Sequence, residues 1–316
     1  MREISSSPPG YRGRLAPSPT GYLHAGHART FWTAFERARK AGGALIMRME
    51  DLDPDRSRAA YAEAALEDLR WLGIGWQEGS DVGGPYAPYT QSGRQAFYLE
   101  ARRKLLRGGF IYPCRCSRKD LEAALSAPHE GSQSHLYGKD RNAERMGHPG
   151  FEGQEPLDDE PIYPGTCRML SVEIPRLQDF PDGSNWRFRI PDGEAIEFED
   201  GNLGPQRFVA GVDFGDFVVW RRDGVPSYQL ACVADDAAMK ITEVVRGEDL
   251  LKSTARQILL NRALGFKNPS WFHCPLMVDQ NGRRLAKRHD ALSLHALRGR
   301  GVTPAEVLTG VLRLLV

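Results

Sequence analysis

The chain has 316 residues, 41% of them hydrophobic and 26% charged, with a formal net charge of +1. That balance is ordinary for a globular protein of one large or two modest domains. It excludes a uniformly basic nucleic-acid binder but leaves room for a local basic patch. The opening MREISSSPPG has no apolar run, so no signal peptide is expected. No stretch approaches the roughly 20 apolar residues of a membrane span. An odd count of five cysteines without a secretory signal points to a reducing, cytoplasmic setting. The tight spacing around Cys114 and Cys116 favours a metal over disulfides.

Residues 1–13 read as a frayed leader and Arg14 to Ala16 as the end of a short strand. Residues 17–23 form a Pro/Gly turn. HAGHARTFWTAFERARKA (24–41) has helical periodicity with Ala, Phe and Trp on one face, and Gly42-Gly43 ends it. ALIMRME is a buried strand, followed by the acidic loop DLDPDRS and a second helix over 58–72. Strand, helix, strand, helix is the grammar of a parallel α/β sheet.

Further helices are expected at 94–107 and 117–125. Residues 126–161 hold few apolar residues and much Gly, Pro, His and charge, so a mobile insertion is expected there. Segments 186–190, 196–200 and 207–220 read as strands of an antiparallel unit, with turns at PDG and GNLG. From 227 on, YQLACVADDAAMKITEVVRG returns to strand and short-helix grammar. Helices follow at 253–264 and 303–316, the latter with Thr303 as N-cap and Pro304 in first place. No internal repeat is visible.

The stretch RLAPSPTGYLHAGHART joins the first strand to the first helix. Unpaired N–H groups at a helix N-terminus favour anions, and Gly21 and Gly26 allow close approach. His24 and His27 at i, i+3 would add two donors, as a polyphosphate gaining charge in a transition state requires. By itself such a pair more often caps, packs or binds nothing, and zinc would need further ligands, none of which is obvious nearby.

The whole stretch resembles the "HIGH" signature region of class I glutamyl-tRNA synthetases. The resemblance continues in MRMEDLDPDR (47–56), GGPYAPYTQSGR (83–94) and YQLACVADDAAMKITEVVRGEDLLKSTARQILL (228–260). RRLAKRHDA (283–291) stands in the place of that family's KMSKS loop. It implies an α/β fold: a Rossmann-like catalytic domain with a parallel sheet, split by a zinc-binding insertion, and a short helical C-terminal extension. Residues 1–113 would be the first catalytic half and 114–190 the zinc-binding insertion. Residues 191–275 would hold the rest of the insertion and the second catalytic half, and 276–316 the loop and C-terminal helices.

The family activates L-glutamate with ATP and Mg2+ to glutamyl-adenylate and then transfers it to RNA. By resemblance, His24, His27 and Lys287 hold the ATP phosphates, so protein catalysis is positioning plus electrostatics. Arg14 and Arg246 match the arginines of the amino-acid pocket, and Arg suits planar carboxylates. Glu50 matches the carboxylate that holds the ammonium, Tyr228 a pocket tyrosine, and Ala16 and Ser18 first-loop contacts. The signature loop departs from the pattern. It reads Arg284-Leu285-Ala286-Lys287, so its serine is lost and its second lysine kept.

Only 29 residues follow Lys287, too few for the family's anticodon-binding domain. This resembles the branch of the family that attaches glutamate to the queuosine base in the anticodon loop of tRNA(Asp). In that branch one structural Zn2+ is implied, with Cys114, Cys116, Tyr163 and Cys167 as ligands. The 46 residues between Cys116 and Tyr163 lengthen the closing loop, whose entropy grows only slowly with length. His129, His135 and His148 lie in the insertion as rival ligands.

Arg94, Arg102, Arg103, Lys104 and Arg107 on one helix could neutralise RNA phosphates. So could Arg283, Arg284, Lys287, Arg288, Arg298 and Arg300 near the end. The expectation is a monomeric cytoplasmic ligase with ATP, L-glutamate and queuosine-bearing tRNA(Asp) as partners. Its rivals are a short synthetase charging the 3′ end of tRNA(Glu) and a catalytically silent RNA-binding relative.

Overall fold

The computed structural model describes residues 10–117, 119–121, 162–168, 183–276 and 293–313. The chain opens with strand β1 (Arg12–Leu15), helix α1 (Ala25–Lys40), strand β2 (Ala44–Met47), helix α2 (Ala59–Trp71) and the short β3 (Glu78–Gly79). The three strands run parallel in the order β1-β2-β3. Strand β1 begins at Arg12, so residues 12 and 13 are sheet rather than leader; Tyr11 anchors the start by donating its hydroxyl to Glu243 at 2.7 Å. Helix α1 buries Ala28, Phe31, Ala34 and Ala38, the face its periodicity predicts.

A single 3-10 turn and α3 (Gln95–Arg107) lead to β4 (Ile111–Cys114). β4 pairs antiparallel with β5 (Asn185–Phe188), and β5 with β8 (Phe217–Trp220), giving a separate three-stranded sheet. Between β5 and β8 lie β6 (Ala195–Asp200) and β7 (Gly204–Val209), an antiparallel hairpin. The expected strand over 207–220 is thus two strands in different sheets, broken at 210–216. The hairpin is also not confined to the antiparallel unit: β6 joins β10 (Ser270–Cys274) in parallel, through Trp271 and Asp200.

Helix α4 (Tyr228–Ala238) is the helical part of the strand and short-helix grammar read over YQLACVADDAAMKITEVVRG. Ser227 caps it, and every side chain from Leu230 to Asp236 is buried. β9 (Glu243–Gly247), α5 (Leu251–Leu264), β10, α6 (Leu294–Gly299) and α7 (Pro304–Arg313) complete the chain. Thr303 is the expected N-cap of α7, and Glu306 completes a capping box with it. Residues 119–121 are helical, and the rest of the 117–125 helix lies outside the described residues.

β9 and β10 are parallel neighbours, and β9 abuts β1: the Thr242 amide donates to the Arg12 carbonyl at 2.9 Å. The lateral succession is therefore β3-β2-β1-β9-β10, with the order reversing between β1 and β9. In doubly wound α/β sheets that reversal leaves a crevice beyond the carboxyl ends of the strands. Among the described residues, no helix is long and apolar enough to cross a membrane.

Candidate active site and metal centre

A cavity of about 530 Å³ opens at that reversal. β1 and the loop after it contribute Arg14, Ala16 and Ser18; the start of α1 contributes His24, Gly26 and His27. Glu50 enters from beyond β2, Tyr228 from the first turn of α4, and Arg246 from β9. Eight of the nine residues singled out for glutamate and ATP line this one cavity. Lys287, with the rest of its loop, lies outside the described residues.

His24 is the N-cap of α1, and its Nδ1 accepts the Gly26 amide at 3.2 Å. His27 sits three residues on, and its Nδ1 accepts the His24 amide at 3.1 Å. Both imidazoles thus spend the Nδ1 lone pair on the backbone, which puts the ring proton on Nε2 and makes that atom a donor. The rings lie 3.9 Å apart between centroids. Capping and presentation of N–H donors, alternatives in the sequence, are here the same arrangement.

The arginines are fixed by burial and bonding. Arg14, 5% exposed, donates from Nη1 to the Val245 carbonyl at 2.8 Å, and its Nε lies 3.7 Å from Asp236. Arg246 donates to Gln257 Oε1 at 3.0 Å, Thr254 Oγ1 at 2.6 Å, His273 Nε2 at 3.2 Å and the Tyr228 hydroxyl at 3.5 Å. Glu50 is gripped by the fully buried Arg48, Nη2 to Oε1 at 2.9 Å. The Cys232 thiol faces the same oxygen at 3.6 Å; burial, and next the Glu50 charge, raise its pKa, so it stays a protonated donor. Two cations and one anion around one cavity match a ligand with two carboxylates and an ammonium.

Sequence reasoning missed Arg48, Asp235, Asp236, Thr254, Gln257, Asp200 and His273. Arg48 falls inside MRMED and the acidic pair inside ADDAA, both within the segments of resemblance, so their places were visible and their roles were not. Thr254 and Gln257 at i, i+3 share one face of α5.

Cys114 at the end of β4, Cys116 and Cys167 bring their sulfurs within 4.8 Å of one another. Tyr163 Oη lies 3.4 Å from Cys114 Sγ and 3.6 Å from Cys116 Sγ, and the Cys116 and Cys167 sulfurs are 3.5 Å apart. Bonds of about 2.3 Å to sulfur and about 2.0 Å to oxygen predict tetrahedral edges of about 3.8 and about 3.5 Å. The donor set therefore fits a closed Zn2+ site. Burial, and then hydrogen bonding with Cys167, push the Cys116 thiol up to about 11. Arg187 donates to Cys114 Sγ at 3.4 Å and lies over the Tyr163 ring. His129, His135 and His148 lie outside the described residues.

The basic face of α3 does not form as expected. Arg94 is fully buried, bonded to Asp235 at 2.5 Å and to the Pro88 carbonyl. Arg102 lies over Trp186 and Trp220, where burial lowers its pKa to about 10. Lys104 donates to the Leu264 carbonyl, while Arg103 and Arg107 are exposed beside Glu100. Arg298 pairs with Glu67 and Asp68. Arg283, Arg284 and Arg288 lie outside the described residues; Arg300 is exposed.

The sequence profile of the class I tRNA synthetases (E and Q), catalytic domain, matches residues 11–316. A protein from Nitratidesulfovibrio vulgaris named glutamyl-Q tRNA(Asp) synthetase is 46% identical, over 96% of this chain and 86% of its own length. One of the same name from Symbiobacterium thermophilum is 49% identical, over 94% of this chain and 84% of its own. The crystal structure of the glutamate-tRNA synthetase of Elizabethkingia anophelis superposes with a TM-score of 0.70 at 30% identity. It covers 89% of this chain, which spans about half of that longer protein (53%). With its cavity at the same strand reversal that the signature stretch leads into, the chain belongs to the class I tRNA synthetases of the E and Q type, a family of ligases.

Proposed function

We propose that the chain activates L-glutamate with ATP and transfers it to the queuosine base in the anticodon loop of tRNA(Asp). The observation that carries the activation step is the convergence of Arg14, Arg246 and Glu50 in one cavity, beside the imidazoles at the start of α1. The choice of acceptor is supported by the names of the two relatives above, of which the chain covers 86% and 84%.

In this reading Glu50 takes the ammonium of glutamate, and Arg14 and Arg246 take its carboxylates, with Tyr228, Ala16 and Ser18 closing the pocket. ATP enters as its Mg2+ complex. The α-carboxylate oxygen attacks the α-phosphorus; the new O–P bond forms as the bond to pyrophosphate breaks. Nε2–H of His24 and of His27 donates to phosphate oxygens as they gain charge, and Lys287 adds its ammonium from the loop. A hydroxyl on the queuosine base then attacks the adenylate carbonyl, losing its proton to solvent as the ester forms and AMP leaves.

Gly26 matters for the first step. A Cβ there would lie 3.0 Å from Cε1 and 3.2 Å from Nδ1 of His24. Gly26→Ala is expected to turn the His24 ring and lower the rate of adenylate formation about tenfold, as one misaimed donor would. Pyrophosphate exchange measures it, and an unchanged rate would remove His24 from the phosphate site.

Cys114, Cys116, Cys167 and Tyr163 would hold one Zn2+, which supplies a structural cross-link and no open coordination position. Cys116→Ser is expected to weaken zinc by more than the about 10–100-fold typical of losing a supporting residue. Atomic absorption on dialysed protein checks it; full occupancy in the variant contradicts the assignment.

Three RNAs separate the readings of the acceptor: tRNA(Asp) with queuosine, the same tRNA(Asp) lacking it, and tRNA(Glu). Each is offered with labelled glutamate and ATP. Label only on the queuosine-bearing RNA is expected. Label on tRNA(Glu) alone overturns the queuosine assignment, and no adenylate at all overturns activation.

A further inference from the structure

Arg246 differs from the other arginines around the cavity. Arg48 touches three carboxylates and Arg14 has Asp236 at 3.7 Å. Arg246, 4% exposed, has no carboxylate within salt-bridge distance among the described residues. Its partners are neutral acceptors: Gln257, Thr254, the Tyr228 hydroxyl and His273.

Those bonds determine the state of His273. A guanidinium only donates, and Nε carries one hydrogen. His273 Nε2, 3.2 Å away, must therefore present its lone pair. Thr254 accepts from Arg246 Nη2 at 2.6 Å, so its own hydroxyl proton points to the same Nε2 at 3.2 Å. The ring proton is thus on Nδ1, which donates to Asp200 Oδ2 at 2.6 Å. Asp200 is held in turn by its second oxygen. Oδ1 accepts the amides of Asn202 at 3.0 Å and Leu203 at 2.9 Å in the turn after β6, and that of His273 at 3.3 Å. The elements are neighbours by register: Asp200 ends β6 beside β10, and His273 on β10 lies opposite Arg246 on β9. Asp200, His273 and Thr254 are all at most 2% exposed.

We infer that Asp200 and His273 are positioning residues for glutamate recognition, a relay that orients Arg246 while leaving its charge for a substrate carboxylate. A carboxylate in direct contact with Arg246 would orient it equally well but would cancel the charge the substrate needs. Interposing a neutral imidazole separates the two tasks. The inference rests on the reading that Arg246 binds glutamate. Burial lowers the pKa of His273, with the Arg246 charge acting in the same direction against Asp200, which agrees with a neutral ring.

The arrangement makes an unusual demand on Asp200→Asn. The two turn amides keep the amide oxygen at the Oδ1 position, so the NH2 group must face His273. The ring then becomes an acceptor at Nδ1 and carries its proton on Nε2, donor against donor with Arg246. His273→Asn removes the acceptor at the Nε2 position, whereas His273→Gln can place its carbonyl oxygen there.

The test is pyrophosphate exchange with the full chain and unfractionated tRNA, comparing these variants with Arg246→Ala. Asp200→Asn and His273→Asn are expected to raise the glutamate KM about 10–100-fold. The ATP KM should stay within about twofold, and His273→Gln should recover most of the loss. The relay is overturned if Asp200→Asn leaves the glutamate KM unchanged. It is equally overturned if both KM values rise together, or if His273→Gln is no better than His273→Asn. Arg246→Ala with an unchanged glutamate KM would instead overturn the underlying pocket reading. A large effect there beside a silent Asp200→Asn would overturn the relay alone.

Discussion

Replacing His24 and His27 together by alanine is expected to lower glutamyl-adenylate formation about 10³-fold or more, with the glutamate KM changed only a few-fold. One donor aimed at a developing oxyanion is worth about 10²–10³ in rate, and two that share a helix N-terminus act on the same charge, so their effects do not simply multiply. The stability change should be small beside this. The pair caps α1 through the Gly26 and His24 amides, and a lost cap costs about 0.5–2 kcal/mol. His24→Asn separates the two tasks, because an asparagine oxygen can still accept the Gly26 amide but cannot reproduce the Nε2–H. That variant should keep the melting temperature and lose the rate. Pyrophosphate exchange beside thermal melting decides. A double variant within about tenfold of the parent rate would place phosphate stabilisation elsewhere.

Local patterning made α1, α2 and α5 legible to within a residue or two, because each carries an apolar face or a clear terminator. α4 was legible only as part of a strand and short-helix stretch, because no Gly or Pro separates it from β9. The division of 207–220 into two strands in two sheets depends on long-range pairing, which alternation along one strand does not encode. For the site, the motif residues led to the cavity, which eight of them line. Asp200, His273 and Arg48 touch other side chains instead, and a buried charge is recognisable only once its partners are in place. The same limit explains the overestimated RNA face on α3: Arg94 at helical spacing from Arg102 reads as surface, yet its partner Asp235 is 141 residues away.

Arg48→Met is expected to destabilise the fold by about 3–5 kcal/mol, the usual cost of removing one partner from a buried ionic cluster. At about 2–4 °C per kcal/mol in a chain of this size, the melting temperature should fall by roughly 6–20 °C. The reason is a charge balance. In the wall of the cavity and behind it, Arg14, Arg48 and Arg94 face Glu50, Asp235 and Asp236. Arg48 touches all three acids: Asp236 at 2.5 Å, Glu50 at 2.9 Å and Asp235 at 3.9 Å. Arg94 holds only Asp235, at 2.5 Å, and Arg14 reaches Asp236 only at 3.7 Å. Methionine fills similar volume, so the loss comes from two carboxylates left without a close cation rather than from a void. Arg48→Met with Asp236→Asn should therefore recover part of the stability, about 1 kcal/mol or more, because it removes one of the stranded charges. It should not recover glutamate binding, since Glu50 has still lost the guanidinium that fixes Oε1. A raised glutamate KM that persists while stability returns would separate the two duties of Arg48. A single variant as stable as the parent would mean that the cluster stays wet enough for water to replace the arginine.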